Sequence, residues 1–460
     1  EFLERRYNPQ SRTILSVISL VSYVLTKVAV TVYAGGLVFQ QVFGIKELWG
    51  IDFFWIAAIG LVVLTALYTI FGGMKSVLYT SVLQTPILLL GSLIILVLGF
   101  KELGGWDEMM RVCGAVTVND YGDTMTNLIR SNDDANFPWL GALIGSAIIG
   151  FWYWCTDQFI VQRVLSGKNE KEARRGTIFG AYLKLLPVFL FLIPGMIAFA
   201  LHQKYIGAGG EGFLPMLANG TANADAAFPT LVAKLLPAGV KGLVVCGILA
   251  ALMSSLASLF NSSAMLFTID FYKRFRPETP EKKLVGIGQI ATVVIVILGI
   301  LWIPIMRSVG DVLYTYLQDV QSVLAPGIAA AFLLGICWKR TSAQGGMWGL
   351  IAGMVIGLTR LGAKVYYSNA GEVADSTFKY LFYDMNWLFF CGWMFLFCII
   401  VVIVVSLATE APTAEKIQGL VFGTATKEQK AATRASWDHW DSTHTVIILA
   451  ITGAFYWYFW

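Results

Sequence analysis

Charged residues are scarce in this sequence, and their scarcity excludes an ordinary soluble domain. Asp, Glu, Lys and Arg make up 13% of the 460 residues, which is about half the share that is usual in soluble domains. They cluster between long apolar runs instead of covering one face of every helix. The chain is therefore expected to reside in a membrane.

Residue types that build catalytic and metal sites are also few. The sequence has three histidines, and its six cysteines show neither a CxxC motif nor metal-ligand spacing. No glycine-rich phosphate loop precedes a helix, and no pair of carboxylates at catalytic spacing lies in an apolar run. These absences argue against a metalloenzyme, a nucleotide-binding enzyme and a disulfide framework.

Long apolar runs account for most of the chain, in which 57% of residues are hydrophobic. A hydrocarbon core about 30 Å thick requires roughly 20 apolar residues per helix, and this length predicts eleven membrane-spanning helices. The first is too long for one straight crossing. The predicted spans are 12–43, 50–72, 76–100, 138–164, 176–202, 239–270, 283–306, 309–337, 344–366, 384–407 and 443–460.

The distribution of basic residues predicts the orientation of the chain. Lys and Arg near the ends of spans are retained on the cytoplasmic side, and the six segments rich in them are separated by even numbers of predicted spans. These segments are 5–12, Lys75, 168–175, 273–283, 339–340 and 416–434. They are expected to share the cytoplasmic face, with the first residue inside and the last residue outside.

Lys184 lies in the middle of the apolar stretch 176–201. A cation at that depth costs several kcal/mol, so it needs a partner and commonly marks the path of a solute. Snorkelling and loss of the proton are the structural alternatives. Together with the composition, this lysine predicts a membrane transporter.

Two predicted spans combine glycine or proline with polar residues, as in transporter helices that are interrupted where they bind solute. The fourth carries Gly150 before the polar and aromatic cluster 152–158, and the eighth carries Gln318 before Pro326. Close helix packing is the commoner explanation of the glycines.

Two further alternatives stay open in the fourth span. Asp157 and Gln158 can form a structural pair closing onto Arg163. Tyr153 and Trp154 have flat apolar faces with one polar edge each, which suits stacking on a sugar ring, but ordinary core positions explain them as well.

The sixth span contains the best candidate for an ion site. Ser254 and Ser255 are adjacent hydroxyls, and the carbonyl of Ala251 lies on the same helix face. Sodium is a hard cation that prefers such oxygen ligands. The structural alternative is small-residue packing with hydroxyls bonded back to the helix.

Four long segments, in order along the chain, closely resemble the sodium/glucose cotransporter family of sodium:solute symporters. They are WYWCTDQFIVQR (152–163), YLKLLPVFLFLIPGM (182–196), SSLASLFNSSAMLFTIDFYK (254–273) and YLQDVQSVLAPGIAAAFLLGICWKR (316–340). The resemblance continues to the C-terminal TVIILAITGAFYWYFW.

The resemblance implies an all-α membrane protein with the inverted-repeat fold shared with the leucine transporter. It implies one transporter domain, in which 1–100 is the remainder of the first repeat, 138–337 is the second and 344–460 adds C-terminal helices. The opening EFLERRYNPQSR reads as an internal loop. Two helices of the first repeat are therefore expected to precede it.

The resemblance also implies roles for individual residues. Ser254 and Ser255 match the family's sodium-binding hydroxyls, and Ala251 matches its carbonyl ligand. Lys184 and Gln318 match residues that hydrogen-bond the sugar. In the aromatic motif, Tyr153 matches the gate that closes over the sugar from the cytoplasmic side, and Trp154 is a weaker candidate beside it.

Two departures from the family pattern bear on these roles. Gly150 stands where sugar-transporting relatives have a side chain such as Asn or Thr, so one solute contact is expected to be lost or taken over by water. Ser81 stands where many relatives have Asp, which belongs to a second sodium site in some of them. One sodium ion per solute is therefore predicted.

The sequence thus predicts a plasma-membrane symporter, not an enzyme, that imports a sugar or polyol with co-transported sodium and binds no nucleic acid. No required protein partner is evident. A carboxylate, sialic acid or amino acid, paired through Lys184, is the alternative solute. A channel or a membrane enzyme is the alternative class, but no filter-like repeat or catalytic constellation is visible.

Overall fold

The protein is predominantly helical in a computed structural model. The structure describes residues 2–217, 220–309, 312–370 and 374–459, and the side chains at 68, 70–78, 80, 81, 83 and 307–309 lie outside this description. The first helices are α1 (Phe2–Arg6), α2 (Pro9–Ser22), α3 (Ala29–Phe43), α4 (Phe53–Leu103), α5 (Trp106–Gly114), α6 (Trp139–Phe151), α7 (Gln158–Leu165), α8 (Glu170–Pro187), α9 (Ile193–Gly207) and α10 (Ala227–Leu235). They are followed by α11 (Ala238–Met265), α12 (Lys273–Phe275), α13 (Glu281–Val309), α14 (Leu313–Cys337), α15 (Ala343–Asn369), α16 (Thr377–Lys379), α17 (Trp387–Ala408), α18 (Lys427–Ser436) and α19 (His439–Tyr458).

Several helices are joined through π-helical turns, and two short strands form a hairpin. The π-helical turns are Tyr23–Val28, Trp152–Thr156, Val188–Leu192, Leu266–Tyr272 and Tyr380–Asp384. The strands are β1 (Glu47–Leu48) and β2 (Ile51–Asp52), which pair antiparallel.

Nine helical segments in the described part of the chain are long and apolar enough to cross a membrane. They are Pro9–Phe43, Gln84–Leu103, Trp139–Thr156, Glu170–Gly207, Ala238–Phe275, Glu281–Met306, Leu313–Cys337, Ala343–Asn369 and Trp387–Ala408. The shorter Phe53–Leu67 is also apolar. The expected multi-pass helical membrane protein is therefore confirmed, whereas the count of eleven spans is not.

The second and third predicted spans differ most from the structure. Instead of separate helices over 50–72 and 76–100, α4 is a single helix of 51 residues. Gly72 and Gly73 lie at this point of the helix, but each glycine in a helix costs only about 1 kcal/mol. That cost is too small to end α4.

The chain forms two compact units. Unit 1 comprises Glu1–Thr26, Arg130–Ile178 and Ser262–Val446, and unit 2 comprises Lys27–Ile129, Phe179–Asn261 and Ile447–Trp460. The division into repeats that the sequence suggests stays a prediction.

In unit 1, a row of glycines on α15 brings three helices into close contact. A Cβ atom added to Gly349 would lie 2.4 Å from a side-chain atom of Val402 on α17. One added to Gly353 would lie 2.6 Å from the Gly327 Cα atom, and one added to Gly357 would lie 2.2 Å from a backbone oxygen, both on α14. Spacing of four residues places these glycines on one helix face, as in membrane helix pairs of the small-xxx-small type. They fix α15 against α14 and α17.

Unit 2 has its own apolar core, formed mainly by α3, α4, α9, α10 and α11. Ile95 and Ile197 are fully buried there, and α4 approaches its neighbours at two glycines. A Cβ atom at Gly91 would lie 2.6 Å from Val244, and one at Gly99 would lie 3.1 Å from Ile197. This packing positions α11, which carries the predicted sodium ligands.

Within unit 1, several of the basic segments meet. Arg12 forms an ion pair with Asp270, and the Arg274 Nη1 atom donates to the Pro9 carbonyl at 2.6 Å. The Lys416 Nζ atom donates to the carbonyl of Tyr7 at 2.7 Å. These contacts support the prediction that the N-terminal, 273–283 and 416–434 segments share one membrane face, while the Lys75 side chain lies outside the described residues.

Arg6 anchors the end of α14 at this face. Its guanidinium is fully buried and donates to the carbonyls of Gly335, Trp338 and Thr341 at 2.8, 3.1 and 3.0 Å. The last carbonyls of a helix have no hydrogen-bond donor within the helix, and the guanidinium supplies donors to carbonyls here. Its positive charge also interacts favourably with the negative end of the helix dipole. Burial lowers the pKa of Arg6, although an arginine keeps its charge.

Replacing Arg6 by Ala should destabilise the protein by about 3 kcal/mol, because buried carbonyls lose charged donors. The apparent melting temperature of detergent-purified protein measures the effect. Arg5→Ala is the matched control, since Arg5 is exposed. Equal melting temperatures for the two variants would show that Arg6 does not anchor α14.

Candidate functional site

The fourth span is interrupted in unit 1, as its sequence predicts. α6 passes into the π-helical turn Trp152–Thr156, Asp157 is extended with φ −75° and ψ 119°, and α7 starts at Gln158. The Tyr23 hydroxyl donates to the Asp157 Oδ1 atom at 2.9 Å, and the Phe159 N–H donates to the same oxygen at 3.2 Å. Asp157 therefore caps α7 and stabilises the break.

A structural role for Asp157 is thus supported through Tyr23 and the start of α7. The guanidinium carbon of Arg163 lies 5.5 Å from the Phe159 ring centroid, and the predicted pair of Asp157 and Gln158 closing onto Arg163 stays a prediction. α7 is also tied to the end of α11, because the Gln162 Nε2 atom donates to Ser262 at 2.6 Å.

The aromatic candidates lie directly at this interruption. Tyr153 is half-buried and Trp154 is 50% exposed, and their rings meet edge to face with centroids 5.2 Å apart. One turn earlier, Gly150 borders open space, since an added Cβ atom would meet nothing within 4 Å. The three residues therefore present a flat ring surface beside a position where a side chain fits.

The prediction that the eighth span is interrupted is wrong. α14 runs unbroken through Pro326 from Leu313 to Cys337. Proline removes one helix hydrogen bond, but the close backbone contact of Gly327 with Gly353 holds this part of α14 in place.

Gln318 lies on α14 near its N-terminal end. It is half-buried, and its side-chain amide makes no hydrogen bond to any other described residue. An amide at span depth that has no partner in the described part of the chain is suited to a hydroxylated ligand, because it supplies both donors and an acceptor.

Next to Gln318, α14 carries an ion cluster that the sequence reasoning missed. The buried Asp319 carboxylate forms an ion pair with Lys364 through Oδ2, and its Oδ1 atom lies 3.7 Å from the Arg360 guanidinium. Arg360 is fully buried on α15, where its Nη2 atom donates to the Met385 carbonyl at 2.7 Å. The centroid of the Phe390 ring lies 4.0 Å from its guanidinium carbon.

This cluster contains two cations and one carboxylate, so it retains a net positive charge. Charges in the bilayer are expensive unless they are paired, and Asp319 is the carboxylate that pairs both Arg360 and Lys364. Arg360 and Lys364 are four residues apart on α15, so they lie on one face of that helix. That spacing was visible in the sequence, but the partner on another helix was not.

Removing the shared carboxylate should be strongly destabilising. Asp319→Asn leaves the buried Arg360 and the half-buried Lys364 without their carboxylate, and breaking a buried pair costs about 3–5 kcal/mol. The double variant Asp319→Asn with Lys364→Met restores the original net charge, so it should recover part of the lost melting temperature. A double variant no more stable than Asp319→Asn alone would argue against charge pairing as the cause.

The sodium candidates lie on α11 in unit 2. Ala251, Ser254 and Ser255 follow i, i+3, i+4 spacing in an uninterrupted helix, so they share one face. Ser254 is buried, whereas Ser255 is exposed and its hydroxyl has no hydrogen bond to the described residues. Ser258, one turn on, donates back to the Ser254 carbonyl at 3.0 Å, so the structural alternative applies to that serine.

Three hydroxyl and carbonyl oxygens on one face form only part of a sodium shell. A helical carbonyl has a second lone pair after its backbone hydrogen bond, so Ala251 can still act as a ligand. No cluster of three or more His, Cys, Asp or Glu side chains that could hold a metal occurs among the described residues.

Lys184 is exposed on α8 in unit 2, in the segment Glu170–Gly207 that is long enough to cross a membrane. Unit 2 therefore contains the candidate lysine and the candidate sodium ligands, and unit 1 contains Gly150, Tyr153, Trp154 and Gln318. The side chain of Ser81 lies outside the described residues, so the expectation of a single sodium ion stays a prediction.

Comparison with known proteins identifies relatives along the whole chain. Residues 1–353 match the sodium:solute symporter family. A sodium/mannose cotransporter from Bos taurus is 35% identical over 100% of this chain and 79% of its own length. Sodium/myo-inositol cotransporter 2 from Homo sapiens is 35% identical over 92% of this chain, and sodium/glucose cotransporter 1 from Ovis aries is 36% identical over 89%. The chain spans 64% and 63% of these last two proteins, which is less than two thirds of their length.

A solved structure has the same fold. The substrate-bound, outward-open state of a Na⁺-coupled sialic acid symporter aligns with a TM-score of 0.65 at 22% identity, over 90% of this chain and 77% of that one. This likeness confirms the predicted fold class, and the sequence matches confirm the predicted family, whose members are transporters and not enzymes. The chain belongs to the sodium:solute symporter family.

Proposed function

We propose that this protein is a sodium-coupled symporter that imports a neutral sugar or polyol across the plasma membrane. The observation that carries the proposal is the family match over residues 1–353, together with relatives named for mannose, myo-inositol and glucose. The bilayer-crossing helices and the neutral oxygens on α11 support the same function.

Sodium is bound on α11 by the hydroxyls of Ser254 and Ser255 and the carbonyl of Ala251. The exposed Ser255 hydroxyl, which has no protein partner among the described residues, supports this role. Sodium favours the outward-open state, because the ion binds that state better than the inward-open state. Release of sodium to the cytoplasm removes this preference for the outward-open state. Moving one charge through 100 mV supplies about 2.3 kcal/mol for accumulation.

The solute is recognised through hydroxyl hydrogen bonds. Lys184 donates to solute oxygens, and the amide of Gln318 both donates and accepts. Tyr153 covers the solute from the cytoplasmic side, with Trp154 next to it. The basic segments on one face of unit 1 support a cytoplasmic N-terminus for this chain. The eleven crossings predicted from the sequence would place its C-terminus outside.

An anionic solute is the second candidate. The exposed ammonium of Lys184 suits a carboxylate, and the solved structure that shares the fold is of a sialic acid symporter. The two candidates differ in charge movement. One sodium ion with a neutral sugar carries one net charge, whereas one sodium ion with a monoanion carries none.

Uptake by the full-length protein in proteoliposomes tests the proposal. Labelled hexoses, inositols, sialic acid and short carboxylates are supplied in sodium and in choline, and currents are recorded. Ser255→Ala and Lys184→Ala should abolish most sodium-driven sugar uptake. Ser258→Ala is the matched control on α11, since its hydroxyl donates back to the Ser254 carbonyl of its own helix. Wild-type uptake by both test variants would refute the site assignments.

Gly150→Asn should strengthen sugar binding. The new side chain has open space, and one added hydrogen bond is worth about 1 kcal/mol, so KM for the sugar should fall about fivefold while sodium affinity stays unchanged. Gly145→Asn on the same helix is the control, because its Cβ atom would lie 2.9 Å from the Leu388 carbonyl oxygen, and it should lower protein stability. An unchanged or raised KM in a folded Gly150→Asn protein would contradict the proposed proximity to the solute.

A further inference from the structure

An apolar groove lies within unit 1, among helices that are long and apolar enough to cross a membrane. Its volume is about 530 Å³, and Tyr272 carries the only polar side-chain group among its lining residues. The groove is formed by α2 with the π-helical turn that follows it, the π-helical turn after α11, and α13. Its lining residues are Leu20, Val21, Val24, Leu25, Phe267, Tyr272, Ile287, Ile290, Ala291, Val294, Ile295 and Leu298.

The groove has the length of one bilayer leaflet. On α13 it extends from Ile287 to Leu298, which is roughly 16 Å along a helix axis at 1.5 Å per residue. Half of a hydrocarbon core about 30 Å thick is about 15 Å. Its floor includes the buried Ala291 and Ile295, whereas Ile290 at its rim is 66% exposed.

Basic residues flank, along the chain, the two segments that line the end of the groove at Tyr272 and Ile287. Tyr272 is followed by Lys273, Arg274 and Arg276, and α13 begins beside Lys282 and Lys283. These five cations exceed the two carboxylates of the same stretch, Glu278 and Glu281, by three. Arg274 already binds the Pro9 carbonyl. Lys282 and Lys283 are exposed and form no ion pair with the described residues.

The chemistry of the groove selects its occupant. Water and sugars are excluded from an aliphatic cavity because their polar groups would find no partners there. At bilayer depth the surrounding medium is lipid, so an acyl chain fills a concave apolar surface. The excess positive charge at the headgroup end complements an anionic phosphate, and each basic residue near a membrane surface favours anionic lipid.

We propose that this groove is a binding site for one anionic phospholipid. One acyl chain occupies the space between α2 and α13, and the phosphate lies beside Lys282 and Lys283. The site is separate from the residues assigned to sodium and solute, since none of them lines it.

Lipid retention by the full-length protein tests this site. The protein is purified from membranes that contain equal phosphatidylglycerol and phosphatidylcholine, delipidated with mild detergent, and analysed by native mass spectrometry. Wild-type protein should retain one phosphatidylglycerol in preference to phosphatidylcholine. The double variant Lys282→Gln with Lys283→Gln should lower that retention about thirtyfold, because two headgroup contacts are lost. Lys427→Gln with Lys430→Gln on the exposed α18 is the charge-matched control and should leave retention unchanged.

The acyl chain is tested by filling the groove. Ala291→Phe on the floor should abolish retention, whereas Ile297→Phe, which is 51% exposed on α13 and does not line the groove, should not. If Ala291→Phe is not recovered in folded form, Val294→Trp at the 49% exposed rim replaces it. Equal retention of the two lipids by wild type, or equal loss from test and control variants, would overturn the proposal.

Discussion

Polar groups at bilayer depth must find partners inside the protein, and this constraint explains the main features of the structure. Hydrocarbon offers no hydrogen bonds, so Asp319 is paired with Arg360 and Lys364, and Asp157 is held by Tyr23. Against this background, Ser255 and Gln318 are exceptions, because their side chains have no partners among the described residues. Under the proposed function, sodium and the solute supply those partners.

The same constraint determines where a span can be broken. The interruption after the π-helical turn Trp152–Thr156 is stable because Asp157 and Tyr23 both accept from the Phe159 N–H at the start of α7. α14 has no such capping group at Pro326 and remains continuous. Rigid packing of α14 against α15, reinforced by the Asp319 cluster and by Arg6, keeps Gln318 on a fixed helix. Tyr153, by contrast, lies at a break, as expected of a gate.

The sequence predicted the features that depend on local composition. Apolar run lengths predicted the multi-pass helical fold, and the polar cluster in the fourth span predicted its interruption. The failures concern contacts between distant segments. Nothing near Pro326 in the sequence indicates that Gly353 packs there, and nothing near Lys364 indicates its partner. The predicted break in α4 failed because the two glycines at this point weaken a helix by only about 1 kcal/mol each. Roles for Ser254 and Lys184 came from family resemblance.

The most direct measurement is the affinity of the purified, full-length protein for its sugar, titrated by intrinsic tryptophan fluorescence in sodium and in choline. If sodium on α11 prepares the solute site, sugar affinity should rise at least about tenfold in sodium, and sugar should raise sodium affinity by the same factor, as linkage requires. Ser255→Ala should remove both effects. Sugar affinity that is equal in sodium and choline would contradict the account.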